Sequence, residues 1–259
     1  MPRKLDKTKY RVESAPDGSL GFDVSHPITS DEAKAAFAAG FSFCVRYVAR
    51  LEPNLEPIGS PDITFDEAQD ILDSGLALFL VQHVSNGGWF ATESLGKRFG
   101  GNAANYAFEC GFPPGVNIFL DLEEVSPGSS PREIQGFCNE WYKALSTYGY
   151  IPGVYIGSKN GLDAQQLFSG TLFEHFWHAA SQADPPKPRS GDRGYQLFQP
   201  LNLTSSQKSK LSGVNLIDKG NGDAFEIDLQ FANGETIPDV DIDFTIVDND
   251  GGKVQWLKK

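Results

Sequence analysis

Short apolar runs alternate along the chain with longer segments in which apolar residues recur at helical spacing. The apolar runs predict eight strands, at residues 20–25, 41–49, 76–84, 116–125, 152–158, 173–180, 194–200 and 239–247. The segments with helical spacing predict helices at residues 29–40, 64–75, 94–111, 130–150 and 162–170. Repeated βα units with apolar strands indicate a parallel sheet that is covered by helices.

Eight strands in a chain of this length predict an α/β fold with a closed (β/α)8 TIM-type barrel. The alternative is an open doubly wound sheet, but its nucleotide-binding form lacks the expected G-x-G-x-x-G after the first strand. The last two βα units are degraded, because residues 181–193 predict a loop and residues 201–238 show no helical period over most of their length.

The segment before the last strand predicts a β-hairpin insertion, formed by "VNLID" and "AFEIDLQF" around the turn "KGNGD". We therefore expect a single barrel domain over residues 20–250, with this insertion at about residues 201–238. Residues 1–19 would be an N-terminal extension and residues 251–259 a C-terminal tail.

Composition narrows the range of partners. The chain has 259 residues, 40% of them hydrophobic, and a net charge of −12. Such a surface repels nucleic acid and anionic membranes, so we expect neither partner. No apolar run is long enough to insert in a membrane, and the basic N-terminus has no apolar stretch behind it, so no signal peptide is expected in this chain. The compartment stays open, including extracellular or cell-envelope action, and we expect a monomer.

Carboxylates mark the ends of three predicted strands. In "IFLDLEEV" (118–125), strand alternation turns Asp121 and Glu123 to the barrel interior, with Cα atoms roughly 6.5–7 Å apart. The same alternation turns Asp23 inward in "GFDVS", and Asp241 and Asp243 inward in "DVDIDF". The first and eighth strands of a closed barrel are neighbours, so these acids are expected to meet at one rim, where active sites of such barrels lie.

Six further candidates for contacts with a substrate lie around this acidic mouth, namely Asp243, Arg46, Tyr155, Trp89, Trp177 and His83. Alternation in "SFCVRY" places Arg46 in the mouth, and alternation in "GVYIGS" places Tyr155 there. Trp89 lies in a Gly-rich loop after the third strand, where its ring would stack on a sugar. Trp177, on the sixth strand, is either a sugar contact or part of the core, and His83 follows a strand end.

An acidic mouth has three interpretations: a site for a hard metal ion, a glycosidase pair of carboxyl groups, or a set of structural ion pairs. Clustered like charges raise the pKa of at least one member, which suits a proton donor. Aromatic residues near the strand ends favour sugar over metal, and the four histidines lack metal-ligand spacing. We therefore expect no metal and no cofactor.

The motifs "GFDVS", "FLDLE", "GVYIGS" and "VDIDF" resemble those of glycoside hydrolase family 25, the lysozyme-type muramidases. The segments "AGFSFCVRYVAR", "ITFDEAQDILDSGLALFLVQH" and "GFPPGVNIFLDLE" are similar to a related family, the glycoside-hydrolase-like domain of unknown function 1906. The resemblance covers roughly residues 20–180 and the last strand.

The resemblance to family 25 implies a barrel that cleaves the bond from muramic acid to glucosamine in peptidoglycan. It implies that Glu123 is the proton donor and that Asp121 orients the substrate or stabilises charge at the anomeric carbon. Asp23 and Asp241 would complete the acidic floor, and Tyr155 would match the family's tyrosine after the fifth strand. The second family implies the barrel and an acidic pocket, so a catalytically inactive glycan-binding or structural barrel is the alternative.

Overall fold

A computed structural model describes residues 4–50, 62–83, 87–180, 186–219 and 227–259 of the chain. Strands and helices alternate over the first two thirds of these residues, and strands dominate the remainder. In chain order the elements are β1 (Arg11–Ser14), β2 (Leu20–Val24), α1 (Ser30–Ala39), β3 (Phe43–Val48), α2 (Phe65–Ser74), β4 (Ala77–Gln82), α3 (Glu93–Glu109), β5 (Asn117–Leu122), α4 (Pro131–Ser146), β6 (Ile151–Ile156), α5 (Ala164–Phe168), β7 (His175–Ala179), β8 (Leu197–Gln199), α6 (Ser205–Lys208), β9 (Val214–Asp218), β10 (Ile227–Phe231), β11 (Thr236–Thr245) and β12 (Gln255–Lys258).

Eight of these strands close into a barrel, in the order β2, β3, β4, β5, β6, β7, β8 and β11. The pairing of β4 with β5 and of β11 with β2 leaves no open barrel edge. Strands β2 to β8 are parallel to one another. The predicted closed barrel is confirmed, and an open sheet is excluded.

The last barrel strand departs from the predicted repeat, because β11 runs antiparallel to both β2 and β8. The chain between β8 and β11 contains only a one-turn helix, α6, and a β-hairpin in its described residues. No helix there carries the chain back to the bottom of the barrel, so β11 enters the barrel from its top.

The predicted hairpin insertion is confirmed. Strands β9 and β10 pair antiparallel, and β10 continues the sheet by pairing with β11 through a tight turn at residues 232–235. The predicted turn "KGNGD" falls largely on residues 220–226, which lie outside the described residues.

Side-chain caps define where the barrel helices begin. Thr29 and Ser130 each accept a hydrogen bond from the backbone N–H three residues later, and the Glu at that position bonds back to the cap. Helix α3 contains glycines for a packing reason: a Cβ at Gly96 would lie 2.1 Å from Phe137 O, and one at Gly100 would lie 2.4 Å from Trp141 O. Glycine therefore allows α3 and α4 to approach closely.

The two terminal segments pack onto the barrel. Strand β1 pairs antiparallel with β12, and Leu257 of β12 pairs with Leu78 of β4. The ring of Trp256 lies 5.8 Å from that of Phe43, which is fully buried at the N-terminal end of β3. This contact closes the bottom of the barrel, so the open end is the one at which β2 to β8 terminate.

A row of aromatic rings fills the barrel interior above this closure. Phe43, Phe79, Phe119 and Trp177 follow one another with ring centroids 5.5 to 5.8 Å apart. We call these four residues the aromatic floor. All are at most 1% exposed, so the floor excludes water from the lower barrel. The three cysteines, Cys44, Cys110 and Cys138, are buried free thiols. Among the described residues, no helix has the length and apolarity to cross a membrane.

Candidate functional site

The open end of the barrel holds four carboxyl side chains, those of Asp23, Asp121, Glu123 and Asp241, which we call the carboxylate cluster. Burial raises the pKa of the Tyr155 hydroxyl, and the negative charges of all four acids raise it further. One tyrosine therefore lies close to acids from β2, β5 and β11. Asp23 and Asp121 are buried, whereas Glu123 and Asp241 are half-buried and reach the mouth.

The antiparallel direction of β11 decides how deep its acids lie. Asp241 is in register with Asp23, near the C-terminal end of β2. Asp243 is in register with Gly21, one layer deeper in the barrel. If β11 were parallel to β2, Asp243 would lie nearer to the mouth than Asp241. Because β11 is antiparallel, Asp241 joins the cluster and Asp243 lies beneath it.

Glu123 has the titration behaviour of a proton donor. Its pKa is raised to about 7, chiefly by burial and then by the charges of Glu124 and Asp23. The ammonium of Lys159 acts in the opposite direction. A carboxyl group that titrates near neutral pH can be both protonated and readily ionised, which is the requirement for general acid catalysis.

The backbone around Glu123 is held from both sides. The indole N–H of Trp89 donates to the Glu123 carbonyl oxygen at 2.9 Å. On the opposite side, the Glu124 N–H donates to Ser158 O at 2.9 Å, and Glu124 has a φ of 51°. A left-handed φ is costly for a residue with a side chain, so this geometry depends on the flanking hydrogen bonds.

Glycine at position 157 makes room for the Glu123 side chain. A Cβ at Gly157 would lie 2.5 Å from Glu123 Cβ and 2.6 Å from its Oε2. The neighbouring Tyr155 hydroxyl donates to Gln199 Oε1 at 3.0 Å, which fixes the phenol beside the cluster. The site therefore combines a carboxyl group of raised pKa with a fixed hydroxyl group.

Trp89 does not present its ring as a sugar platform, contrary to the sequence expectation. The residue is only 8% exposed, and its ring packs on Phe137 of α4 at a centroid distance of 4.8 Å. The adjacent Phe90 is 63% exposed and contacts Gly128 in the loop after β5. The exposed aromatic ring of this loop is therefore that of Phe90, which was not among the residues predicted from the sequence.

Arg46 does not face the mouth, so its prediction as a substrate contact is wrong. The guanidinium is fully buried, and its Nε donates to Glu67 Oε1 on α2 at 2.6 Å. The residue that faces the interior is Tyr47, whose hydroxyl donates to Asp23 Oδ1 at 3.1 Å. Both faces of β3 are apolar, so alternation alone could not identify the inner one.

Asp243 and Trp177 lie below the mouth and have no exposed surface with which to contact a substrate. Asp243 is fully buried, Trp177 is 1% exposed, and the indole Nε1 of Trp177 donates to Asp243 Oδ1 at 2.9 Å. The alternative for Trp177, a core residue, is the correct one. For Asp243 the inward orientation is correct, but the predicted substrate contact is not available.

His83 lies at the rim. Its ring packs on that of Tyr47 at 4.3 Å, and its Nε2 lies 3.6 Å from Asp62 Oδ1. Burial lowers the pKa of His83 to about 4, so the imidazole is neutral at physiological pH. A neutral imidazole offers a hydrogen-bonding group to a sugar hydroxyl without adding charge.

Comparisons with known proteins agree with this architecture. The family model of the Rv2525c-like, glycoside hydrolase-like domain matches residues 34–222. No curated protein matches the sequence. The match bears out the resemblance to a glycoside-hydrolase-like relative of the lysozyme-type barrels.

Several solved structures share the fold. An uncharacterised B. stearothermophilus protein, 17% identical, gives a TM-score of 0.56 over 88% of this chain and 96% of that chain. The Tat-secreted protein Rv2525c of Mycobacterium tuberculosis, 16% identical, gives 0.54 over 88% and 95%. The catalytic domain of endolysin ply40, from bacteriophage P40 of Listeria monocytogenes, is 14% identical and gives 0.51 over 89% and 94%. At these identities the similarity establishes the shared barrel fold.

Proposed function

Because this chain belongs to the Rv2525c-like family of glycoside hydrolase-like domains, we propose that it hydrolyses a cell-wall glycan. Glu123 is the proton donor, and Asp121 stabilises charge at the anomeric carbon. The observation that carries the proposal is the pKa of Glu123, raised to about 7 in a mouth that also contains Asp121, Asp23 and Asp241.

The two principal acids lie on one face of β5. Residues two apart on a strand are separated by roughly 6.5–7 Å between Cα atoms, so their side chains can flank one glycosidic bond. Glu123 protonates the leaving oxygen, and Asp121 stabilises the positive charge that develops on the sugar ring. In a retaining reaction, the anomeric carbon is attacked either by the substrate's N-acetyl group or with help from Asp121.

The environment of the cluster supports this chemistry. The aromatic floor closes the barrel below the cluster, and burial is the chief cause of the raised pKa of Glu123. Phe90, exposed beside the mouth, offers a flat apolar surface to the face of a sugar ring. Tyr155 and His83 offer hydrogen-bonding groups. The site thus contains the acid, the stabilising carboxylate and the binding surfaces that glycoside hydrolysis needs.

Peptidoglycan is the proposed substrate. The sequence motifs at Asp23, Asp121, Glu123 and Asp241 resemble those of the lysozyme-type family 25, and the barrel is similar to the catalytic domain of a phage endolysin. The alternative is a barrel that binds a glycan without cleaving it.

The test is incubation of the protein with purified cell wall, followed by measurement of new reducing ends. The wild-type protein should release them, and Glu123→Gln should reduce the rate by at least about 10²-fold, because general acid catalysis contributes that much. Glu140→Gln is a matched control, since Glu140 lies on the outer helix α4 and pairs with Lys143. Cell-wall binding without release, unchanged in Glu123→Gln, would contradict hydrolysis and support the glycan-binding alternative.

A further inference from the structure

Two carboxyl groups are stacked beneath the mouth without a base between them. Asp23 is 5% exposed and Asp243 is fully buried. Tyr47 donates to Asp23 Oδ1 at 3.1 Å, and Trp177 donates to Asp243 Oδ1 at 2.9 Å. The other oxygen of each carboxyl, Oδ2, is also buried. No N–H group or hydroxyl group of the described residues donates a hydrogen bond to it.

The two carboxyl groups lie close enough for a side-chain hydrogen bond, which affects the titration of both. Ionised carboxylates are acceptors only, so such a hydrogen bond requires one of the pair to carry a proton. Two adjacent carboxylates in a dry site cannot both be ionised without a large cost in free energy.

The surroundings decide which acid carries the proton. Burial and the charges of Asp23 and Asp241 raise the pKa of Asp243 well above its ordinary value. Burial raises the pKa of Asp23 only to about 6, because the hydrogen bonds from Asp243 and Tyr47 favour its ionised form. Asp243 is thus the donor of the pair, and Asp23 is the acceptor.

No cation among the described residues neutralises this pair. The buried guanidinium of Arg46 lies on the outer face of β3, paired with Glu67. His83, which packs on Tyr47, is neutral because burial lowers its pKa to about 4. Trp177 supplies a neutral N–H only. Within the described part of the chain, a proton is therefore the only positive charge available to the two acids.

We propose that Asp243 is a positioning residue that keeps one proton and donates it to Asp23, so that Asp23 presents a fixed, ionised oxygen to the carboxylate cluster. The effects on kcat that follow from this inference rest on the proposed glycan hydrolysis. The proton on Asp243 does not depend on that function. Asp243 is too deep to touch a substrate, so it acts through Asp23.

An asparagine at position 243 would reproduce the protonated acid. Its amide N–H donates to Asp23, and its amide oxygen accepts from Trp177. The substitution Asp243→Asn should therefore keep kcat within about twofold of wild type at neutral pH. Asp243→Leu, which has the same branched shape but no polar group, should lower kcat by about tenfold or more with little change in KM, since an orienting hydrogen bond is lost.

A second measurement needs no activity. Folded wild-type protein holds one proton on the pair above pH 4, where an unfolded aspartate has lost it. The free energy of unfolding therefore includes a term that falls as pH rises, through the raised pKa of the pair. Asp243→Asn removes that term. The free energy of unfolding, measured with denaturant between pH 4.5 and 7.5, should therefore fall less steeply with pH than in wild type, by the slope that corresponds to one proton.

These outcomes are separable. If wild type hydrolyses no glycan, the proposed function fails, and the unfolding experiment still decides whether Asp243 holds a proton. If the free energy of unfolding of Asp243→Asn has the same pH dependence as that of wild type, Asp243 does not hold the proton. Equal loss of kcat in the folded Asn and Leu variants would overturn positioning by donation. Should Asp243→Leu fail to fold, the comparison of wild type with Asp243→Asn remains decisive.

Discussion

The buried ion pair between Arg46 and Glu67 permits a quantitative prediction. Arg46 is fully buried, and it donates to Glu67 Oε1 at 2.6 Å, to Glu67 Oε2 at 3.3 Å and to Val24 O at 2.6 Å. Glu67 also accepts from the Ile28 N–H at 3.1 Å. Glu67→Gln keeps the shape but leaves the guanidinium buried without a counter-charge.

Removal of one partner of a buried pair costs about 3–5 kcal/mol. In a domain of this size each kcal/mol lowers Tm by about 2–4 °C, so Glu67→Gln should lower Tm by roughly 6–20 °C. Thermal denaturation followed by circular dichroism measures the change. Asp70→Asn is the matched control, because Asp70 is exposed on the same helix.

The double substitution Arg46→Met with Glu67→Leu should recover much of the lost stability, since an apolar pair of similar volume replaces the ions. A Tm for Glu67→Gln within about 2 °C of wild type would refute the buried pair. An Arg46→Met variant that keeps its stability but loses glycan binding would also refute the buried pair. That result would indicate that Arg46 contacts the substrate at the mouth.

Three further predictions concern the mouth. Trp89→Phe keeps an aromatic ring on Phe137 but removes the hydrogen bond to the Glu123 carbonyl, so kcat should fall by about tenfold with KM unchanged; a rise in KM alone would contradict this role. Phe90→Ala should raise KM several-fold and leave Tm nearly unchanged, because the ring is exposed; unchanged KM would remove it from the binding surface. Lys159→Gln removes the cation that opposes the raised pKa of Glu123, so the fall of kcat/KM with rising pH should move to higher pH, by roughly half a unit; a shift to lower pH would contradict the assignment.

The orientation of the acids could be predicted from the sequence, but that of Arg46 could not. In β5 and β2 the acids alternate with large apolar residues, and only one face of each strand can pack against the helices. In β3 both faces are apolar, because Phe43 belongs to the aromatic floor while Cys44 faces the helices. The partner of Arg46 is Glu67, 21 residues later, and no local pattern connects the two.

The direction of the last strand was also beyond sequence reasoning. The residues of β11 have the same alternation in either direction, and only the route of the preceding chain determines which end enters the barrel. That route depends on the hairpin insertion, which leaves no helix to return the chain. The consequence is that Asp241 lies at the mouth and Asp243 beneath it.

Adjacent aromatic residues posed a similar problem. Trp89 and Phe90 are consecutive, and either ring is suited to a sugar. The choice depends on Phe137, on α4, which buries one ring and leaves the other in solvent. Contacts across 48 residues of chain are not visible in a local motif, whereas the barrel strands, the helices that cover them and the hairpin were predicted from local patterns. Strands β1 and β12 were not predicted, because residues 1–19 and 251–259 were expected to be an extension and a tail.

Every role proposed for the mouth depends on Glu123 holding a proton near neutral pH. Titration of the Glu123 side-chain carboxyl by ¹³C NMR in the full chain, assigned by comparison with Glu123→Gln, measures this property. A midpoint at a pH of about 7 is expected. A midpoint near the ordinary glutamate pKa of about 4.3 would contradict it.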